Sequence, residues 1–133
     1  MSRVAVIGGG PAGIMAAAAA AGCGHDSVLL EKNEKLGKKL FLTGKGRCNI
    51  TNSCDTDDFF ANIPRNPKFL YSALYGFSNT DIVELINANG VPTKVERGKR
   101  VFPASDKSSD VIKALARHLN NSGAELRLNT EVS

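Results

Sequence analysis

A glycine-rich turn near the start of the chain has the spacing needed to hold a dinucleotide. Gly8, Gly10 and Gly13 follow a short apolar run and precede a run of small residues. In such a turn the first glycine permits the tight bend, the second lets backbone N–H groups approach a pyrophosphate, and the third lets a helix pack on a strand. Pro11 and Ala12 lie inside the turn, where the amino end of a helix supplies partial positive charge to phosphates. The pattern predicts a pyrophosphate site at this turn.

An acidic residue lies at the distance expected for the ribose of the same ligand. Glu31 follows Gly13 by 18 residues and closes the second apolar run of the chain. A carboxylate there accepts hydrogen bonds from a ribose hydroxyl, which favours the unphosphorylated ribose of FAD or NAD over that of NADP. The glycine turn by itself does not separate FAD from NAD. The structural alternative is a glycine-rich turn in an ordinary α/β protein that binds no nucleotide.

The basic stretch GKKLFLTGKGRCNITN, residues 37–52, is the second candidate for chemistry. It is too rich in glycine for a helix and too cationic for a buried strand, so we predict that it belongs to a long loop over residues 32–55. A phosphate-binding P-loop needs Gly, four residues and then Gly-Lys-Ser/Thr. Lys39 stands where the first glycine is required, and no Ser or Thr follows Gly44-Lys45. The spacing therefore disfavours a nucleoside triphosphatase.

A cysteine beside an arginine is the third candidate. Cys23, Cys48 and Cys54 are odd in number and have no metal-ligand spacing, so we expect neither a disulfide scaffold nor a metal site. Cys48 and Cys54 are six residues apart, which is wider than the spacing of redox dithiols of the glutathione-reductase type. Arg47, next to Lys45, either lowers the pKa of the Cys48 thiol or neutralises a phosphate, and both interpretations stay open.

Composition and charge restrict the partners. The chain has 133 residues, a net charge of +4, 6% aromatic residues and no Trp, and nucleic-acid binders usually combine a basic face with aromatic side chains. Residues 4–24 are uncharged, as in a signal peptide or membrane span, but clustered glycines and Pro11 interrupt the run. We expect a small-molecule substrate, no nucleic acid, no membrane and a cytoplasmic location.

The elements that must position these residues follow the order of a βαβ unit. A buried strand over 3–7, the glycine turn, a helix over 14–21 and a second strand over 27–30 occupy about thirty residues, the usual size of such a unit. We predict an α/β fold with a Rossmann-like parallel sheet, further helices and a β-hairpin. Three further helices are predicted: 66–76, capped by Asn66; 78–90, capped by Ser78-Asn79-Thr80-Asp81; and 108–123, capped by Ser108 or Ser109. The remaining predicted elements are the hairpin 93–102 and a last strand 125–128.

Three blocks of the sequence resemble one family. They are Glu31-Lys32, Leu36-Gly37-Lys38-Lys39 and TGKGRCNITN, residues 43–52, and a further block begins at Arg100-Val101-Phe102-Pro103. The chain resembles the BaiN-like family of NAD(P)/FAD-dependent oxidoreductases, which are flavoproteins of the glutathione-reductase-like FAD fold. The resemblance covers essentially the whole chain in register, and the TGKGRCNITN block is far more distinctive than the glycine turn.

The resemblance implies an extended FAD along this chain. The glycine turn would hold the pyrophosphate, Glu31 the adenosine ribose, the loop up to Asn49 would run toward the flavin ring, and Val132 would meet the adenine. No proton donor is identified, so the catalytic residues stay unknown. The implied cofactor-binding residues are Gly8, Gly10, Pro11, Ala12, Gly13, Glu31, Lys32, Lys38, Lys39, Thr43, Gly44, Gly46, Arg47, Cys48, Asn49 and Val132.

The resemblance also implies a function for a longer protein. NADH or NADPH would pass hydride through FAD to an organic acceptor, such as the conjugated C=C bond of an oxo-steroid or bile-acid-like substrate. Family members are longer, so we expect residues 1–133 to be the N-terminal part of an incomplete FAD domain, without the substrate domain. The exposed strand edge and sheet face of an incomplete domain favour self-association. The alternatives are a non-catalytic FAD- or NAD-binding module, an inactive truncated fragment and, ranked last, an RNA binder.

Overall fold

The βαβ unit forms the first part of the fold. The computed structural model describes all 133 residues. Strand β1 (Arg3–Ile7), helix α1 (Pro11–Gly22) and strand β2 (Asp26–Leu30) follow one another, and the two strands pair in parallel along their whole length. Strand β6 (Glu125–Arg127) pairs in parallel with the other edge of β2, so the sheet order is β1-β2-β6. The Rossmann-like parallel sheet predicted from the sequence is confirmed.

A second, antiparallel sheet lies between β2 and β6 along the chain. Its strands are β3 (Thr51–Asn52), β4 (Thr93–Glu96) and β5 (Arg100–Pro103), in the order β3-β5-β4, so the predicted hairpin is confirmed and has a third strand beside it. No helix has the length and apolar character needed to cross a membrane. The intervening elements are α2 (Lys38–Leu42), a 3₁₀ turn (Thr43–Gly46), β3 (Thr51–Asn52), α3 (Thr56–Ala61), a 3₁₀ turn (Pro67–Leu70), α4 (Tyr71–Gly76), α5 (Asn79–Ala88), β4 (Thr93–Glu96), a 3₁₀ turn (Arg97–Lys99), β5 (Arg100–Pro103) and α6 (Ser108–Ser122).

The core lies where α1 and α6 pack on one face of the parallel sheet. Small residues let α1 approach the sheet closely: Ala17 is fully buried, and its carbonyl accepts a 2.9 Å hydrogen bond from the hydroxyl of buried Ser27 on β2. Leu29 on β2 and Ile14 on α1 are also fully buried. The same cluster contains the apolar face of α6, including Leu115. This packing fixes the amino end of α1 against the end of β1.

The prediction that β1 is a buried strand is wrong. Exposure alternates along it, and Ile7 is 68% exposed. Because β1 pairs only with β2, it is an edge strand, and α1 covers only one of its faces. An apolar run therefore does not ensure burial on both faces. The free edge is the feature on which self-association depends, and self-association stays a prediction.

The prediction of one loop over residues 32–55 is also wrong, because the segment contains α2, a 3₁₀ turn and β3. Gly37 precedes α2 with a left-handed φ of 69°, and Gly44 follows it, so the glycines bound the helix instead of interrupting it. A helix of five residues is unstable alone. It forms here because it packs on α6, where the Ser108 hydroxyl donates a 2.8 Å hydrogen bond to the carbonyl of Phe41.

Of the three helix caps predicted from the sequence, one is confirmed and two are wrong. Ser78 begins α5 in a capping box with Asp81, as predicted. Asn66 has a left-handed φ of 50° and makes no side-chain cap, and the chain after it forms a 3₁₀ turn before α4. Lys107 precedes α6, and its ammonium group has no acceptor with which to cap the helix. The hydroxyl of Ser108, one of the two predicted caps, donates to the carbonyl of Phe41 instead. No helix was predicted at α3, which begins at Thr56 and is capped by the side chain of Asp55.

Candidate cofactor site

The glycine turn has the geometry of a phosphate cradle. Gly8 has a φ of 103°, a conformation that favours glycine, and its N–H donates a 2.8 Å hydrogen bond to the carbonyl of Leu30. A Cβ atom at Gly13 would collide with the carbonyl oxygen of Gly8, so α1 can approach β1 only with glycine there. Gly10 precedes α1 without a side-chain cap, and a Cβ atom there would meet nothing within 4 Å. The first N–H groups of a helix need acceptors from outside it, and this open space can admit an anion.

Glu31 lies beside that turn, as predicted, and it also holds the turn in place. Its Oε1 accepts a 3.1 Å hydrogen bond from the N–H of Gly9, and its Oε2 accepts a 2.9 Å bond from the N–H of Asn33. The Asn33 N–H does most to lower the pKa of this carboxyl, against the effect of burial. The side chain is therefore a carboxylate at neutral pH. Each carboxylate oxygen has a second lone pair, so acceptor capacity remains for a ribose hydroxyl.

Gly9 and Leu36 are parts of the site that the sequence reasoning missed. A Cβ atom at Gly9 would lie 2.6 Å from the Cδ2 of Leu36, and the Gly9 carbonyl accepts a 2.9 Å hydrogen bond from the N–H of Gly37. These contacts attach the start of the basic stretch directly to the glycine turn. The three consecutive glycines at 8–10 are the signal that could have shown Gly9, because only two of them are explained by the spacing motif.

The predicted lysines surround this region but make few contacts. Lys32, Lys38 and Lys39 are all exposed. Lys38 forms an ion pair of 3.0 Å with Glu34, and no ion pair involves the other two. The structure therefore places three cations on the surface near the turn, where exposed charges attract anions from a distance but hold them weakly.

Residues 43–49 form a tight loop, which we call the Thr43–Asn49 loop. Lys45 and Cys48 have left-handed φ values of 56° and 58°, next to the positive-φ glycines Gly44 and Gly46. The hydroxyl of Thr43 donates a 2.7 Å hydrogen bond to the carbonyl of Leu40 at the end of α2. Asn49 is exposed. Two left-handed residues that are not glycine mark a conformation that the rest of the fold must stabilise.

One interpretation of Arg47 is wrong. Cys48 is 1% exposed, and burial raises the pKa of its thiol, so the neighbouring cations do not create a thiolate. The guanidinium of Arg47 instead pairs with the carboxylates of Glu96 and Asp106. Cys23, Cys48 and Cys54 are all free thiols. The partners of Arg47 are too distant in sequence for any spacing argument to find them.

The segment after β6 passes close to Glu31. The N–H of Thr130 donates a 2.8 Å hydrogen bond to the carbonyl of Glu31, and the N–H of Asn129 donates a 2.9 Å bond to the carbonyl of Asn33. Val132 lies two residues beyond Thr130 and is 46% exposed. Its contact with adenine stays a prediction. No group of three His, Cys, Asp or Glu side chains is arranged to hold a metal ion.

Acidification should destabilise the fold. The pKa values of Glu31, Glu96 and Asp106 are lowered from ordinary values of 4.5, 4.5 and 3.8 by hydrogen bonds from Asn33, Arg47 and Lys94 respectively. Groups whose pKa is lower in the folded state stabilise it above their unfolded pKa, and this stabilisation is lost as pH falls through the folded values. Urea unfolding should give a free energy of unfolding that is constant down to about pH 5 and decreases at lower pH. A Glu96→Gln/Asp106→Asn variant should lose less free energy of unfolding on acidification than the wild-type chain. An equal loss in the variant and the wild type would contradict the assignment of the effect to these two carboxylates.

The comparisons with known proteins decide the family. A family model described as "HI0933-like protein Rossmann domain" matches residues 2–133. The chain belongs to the HI0933-like family of Rossmann domains. This membership confirms the family resemblance seen in the sequence, and it extends over the glycine turn, Glu31 and the Thr43–Asn49 loop.

Curated relatives of this family are oxidoreductases by name. The chain is 37% identical over 121 residues to a 3-dehydro-bile acid delta(4,6)-reductase of Clostridium scindens, covering 90% of this chain and 29% of the relative. It is 30% identical over 127 residues to a ribosomal RNA dihydrouridine synthase of Escherichia coli, covering 96% of this chain and 31% of the relative. The chain therefore spans less than a third of the length of these relatives.

A solved structure supports the fold. The crystal structure of Thermovibrio ammonificans THI4 superposes with a TM-score of 0.62 at 14% identity, covering 95% of this chain and 37% of the other. At that identity the likeness shows the fold alone. It agrees with the Rossmann domain that the family membership gives for residues 2–133.

Proposed function

We propose that this chain holds the adenosine and pyrophosphate part of FAD in an oxidoreductase that takes hydride from NADH or NADPH. One observation carries the proposal: the fold brings the open helix end at Gly10 and the carboxylate of Glu31 to the same turn, through the hydrogen bond from Gly9 to Glu31. When bound, FAD supplies the capacity to accept and pass on two electrons with hydride. The three free thiols fit the cytoplasmic location that is part of this proposal.

The start of α1, the exposed lysines, Glu31 and the Thr43–Asn49 loop each have a role in this proposal. The backbone N–H groups at the start of α1 would bind the pyrophosphate, and the exposed lysines 32, 38 and 39 would raise the local concentration of the anionic cofactor. Glu31 would orient the ribose while its two present hydrogen bonds keep it ionised. The Thr43–Asn49 loop would carry the cofactor toward the flavin end. The proton donor and the substrate pocket would lie in parts of a longer protein.

The names of the relatives favour one class of acceptor. A delta(4,6)-reductase and a dihydrouridine synthase are both named for saturating carbon–carbon double bonds. The double bond of uridine that is lost in dihydrouridine is conjugated with a carbonyl, as is that of an oxo-steroid enone. We therefore propose an electron-poor C=C bond conjugated with a carbonyl as the acceptor, and an oxo-steroid or bile-acid-like compound as the first candidate.

A uridine in RNA is the second candidate, because the relative from Escherichia coli is named for that reaction. The chain has 17 Lys and Arg residues against 13 Asp and Glu residues, and the resulting net charge of +4 suits a polyanion. Affinity for RNA should then fall steeply with salt, whereas affinity for a steroid should not. The non-catalytic alternative predicts bound FAD whose yellow colour is not bleached by NADH or NADPH.

Titration of the chain with FAD, followed by flavin fluorescence, should show saturable binding that the Gly10→Arg variant lacks. A side chain at Gly10 fills the open cradle, so we expect a loss of at least about 100-fold in affinity. Gly22→Arg is the matched control, because it puts the same side chain at the opposite end of α1, where a Cβ atom also meets nothing within 4 Å. Equal affinities of the two variants for FAD would mean that the pyrophosphate does not bind at Gly10. No saturable binding to the wild-type chain would contradict the proposal that this segment holds FAD by itself.

A further inference from the structure

The Thr43–Asn49 loop is not held in shape by its own backbone. Two hydrogen bonds lie inside it, from the N–H of Arg47 to the carbonyl of Gly44 at 3.2 Å and from the N–H of Cys48 to the carbonyl of Thr43 at 3.0 Å. Both are local, and the loop also contains left-handed residues other than glycine. Such a conformation persists only when surrounding structure determines it. The question is which contact ties the loop to the fold.

The side chain of Arg47 makes the hydrogen bonds that join the loop to distant elements. Its Nε donates a 2.9 Å hydrogen bond to Oδ1 of Asp106, and a terminal nitrogen bonds to the same oxygen at 2.7 Å and to the carboxylate of Glu96. The guanidinium also lies 4.1 Å from the ring centroid of buried Phe102. The partners belong to β4, β5 and the turn before α6, so one side chain joins the loop to three segments of the fold.

The charges of this cluster balance inside the protein. Lys94 on β4 binds the same two carboxylates, at 2.7 Å from Asp106 and 3.3 Å from Glu96. Two cations and two carboxylates therefore neutralise one another, and the guanidinium has no need of an outside anion. The two cations differ in one respect, since Lys94 and Glu96 lie on the same strand while Arg47 comes from the loop.

Cys48, the residue after Arg47, shows what this attachment does. It is 1% exposed although Lys45 and Asn49 beside it are exposed. Its thiol is part of the hydrophobic core, together with residues of α1, β2, α5 and α6, so a loop that lifts off the fold would expose it. We propose that Arg47 is a positioning residue that clamps the Thr43–Asn49 loop onto β4 and β5, keeps the Cys48 thiol buried and so sets the path that the loop offers to the cofactor. The last clause rests on the proposed function.

Alkylation of the Cys48 thiol tests this role without any cofactor. In a Cys23→Ser/Cys54→Ser chain, Cys48 is the remaining thiol. We expect Arg47→Gln to raise its alkylation rate by about tenfold at neutral pH, because the loop opens locally. Lys94→Gln is the matched control: it removes the other cation from the same carboxylates but cuts no contact with the loop, so the rate should stay within about twofold.

A rescue variant and the pH dependence of Cys48 alkylation distinguish a positioning role of Arg47 from a general loss of stability. Arg47→Lys keeps a cation within reach of the carboxylates, and it should restore most of the protection. In the parent chain the alkylation rate, corrected for thiol ionisation, should rise as the carboxylates protonate at acid pH, and Arg47→Gln should lose this dependence. Equal rates for Arg47→Gln and Lys94→Gln, or protection by neither Arg nor Lys at position 47, would overturn the clamp. FAD binding by the parent chain is measured in a separate titration. A failure to bind FAD contradicts the proposed function, whereas the alkylation rates of Cys48 decide the role of Arg47.

Discussion

Replacing Gly13 with alanine should lower the free energy of unfolding by about 3 kcal/mol and abolish FAD binding. The added Cβ atom would collide with the carbonyl oxygen of Gly8 and lie 3.4 Å from the side chain of Leu29, which is fully buried. Because backbone and core both resist displacement, α1 must move away from the sheet, and the glycine turn must open with it. Urea unfolding followed by circular dichroism measures the first effect, and flavin fluorescence measures the second.

The same substitution at the other end of the helix is the control. A Cβ atom at Gly22 meets nothing within 4 Å, and alanine costs less backbone entropy than glycine in a helix. Gly22→Ala should therefore be neutral or stabilising by up to about 1 kcal/mol. A Gly13→Ala chain as stable as the wild type would mean that α1 is not pressed against the turn, and the site geometry described above would be wrong.

Replacing Glu31 with alanine should have the next largest effect. The side chain is 9% exposed and accepts the N–H groups of Gly9 and Asn33, so its removal leaves two backbone donors without their acceptor. We expect a loss of about 2 kcal/mol in the free energy of unfolding and weaker binding of FAD, because the turn and the ribose site lose the same carboxylate. Urea unfolding and an FAD titration of the same sample measure the two effects.

Glu31→Gln separates these roles. The amide keeps one oxygen acceptor for a backbone N–H but carries no charge, so stability should recover in part while the affinity for FAD stays low. Glu34→Gln, close in sequence, removes an exposed carboxylate that pairs only with Lys38, and it should change neither quantity measurably. Equal effects at 31 and 34 would show that charge in this region matters but the position of Glu31 does not.

The local parts of the fold were predictable from the sequence. The glycine turn, α1 and β2 follow from the positions of small, apolar and glycine residues over a short stretch, and the capping box at Ser78 follows from residues three apart. In each of these, the interacting groups are neighbours along the chain, so their spacing carries the information. The place of Glu31 at the end of the second strand was predicted for the same reason, whereas its hydrogen bond to the N–H of Gly9 was not predicted.

The segments that were predicted wrongly depend on contacts with residues distant in sequence. Helix α2 is too short to form alone and is stabilised by α6, through a hydrogen bond from Ser108 to Phe41. Strand β1 is apolar enough to be buried, but its exposure depends on how many strands and layers surround it, and here it lies at the edge of the sheet. A sequence pattern shows which secondary structure a segment can form and whether it can be buried. The neighbouring elements decide whether it is buried.

The sequence by itself determined the Rossmann-like class, the family and the position of the glycine turn, because glycine spacing and the TGKGRCNITN block are local properties of the chain. Only the tertiary structure decided what Arg47 and Cys48 do. The nearest carboxylate partner of Arg47 in the chain is 49 residues away. Burial raises the pKa of the Cys48 thiol, whereas one of the two interpretations left open by the sequence was that adjacent cations lower it. The physical reason is that electrostatic and packing energies depend on distance in space, which for a loop is set by the sheet on which it folds.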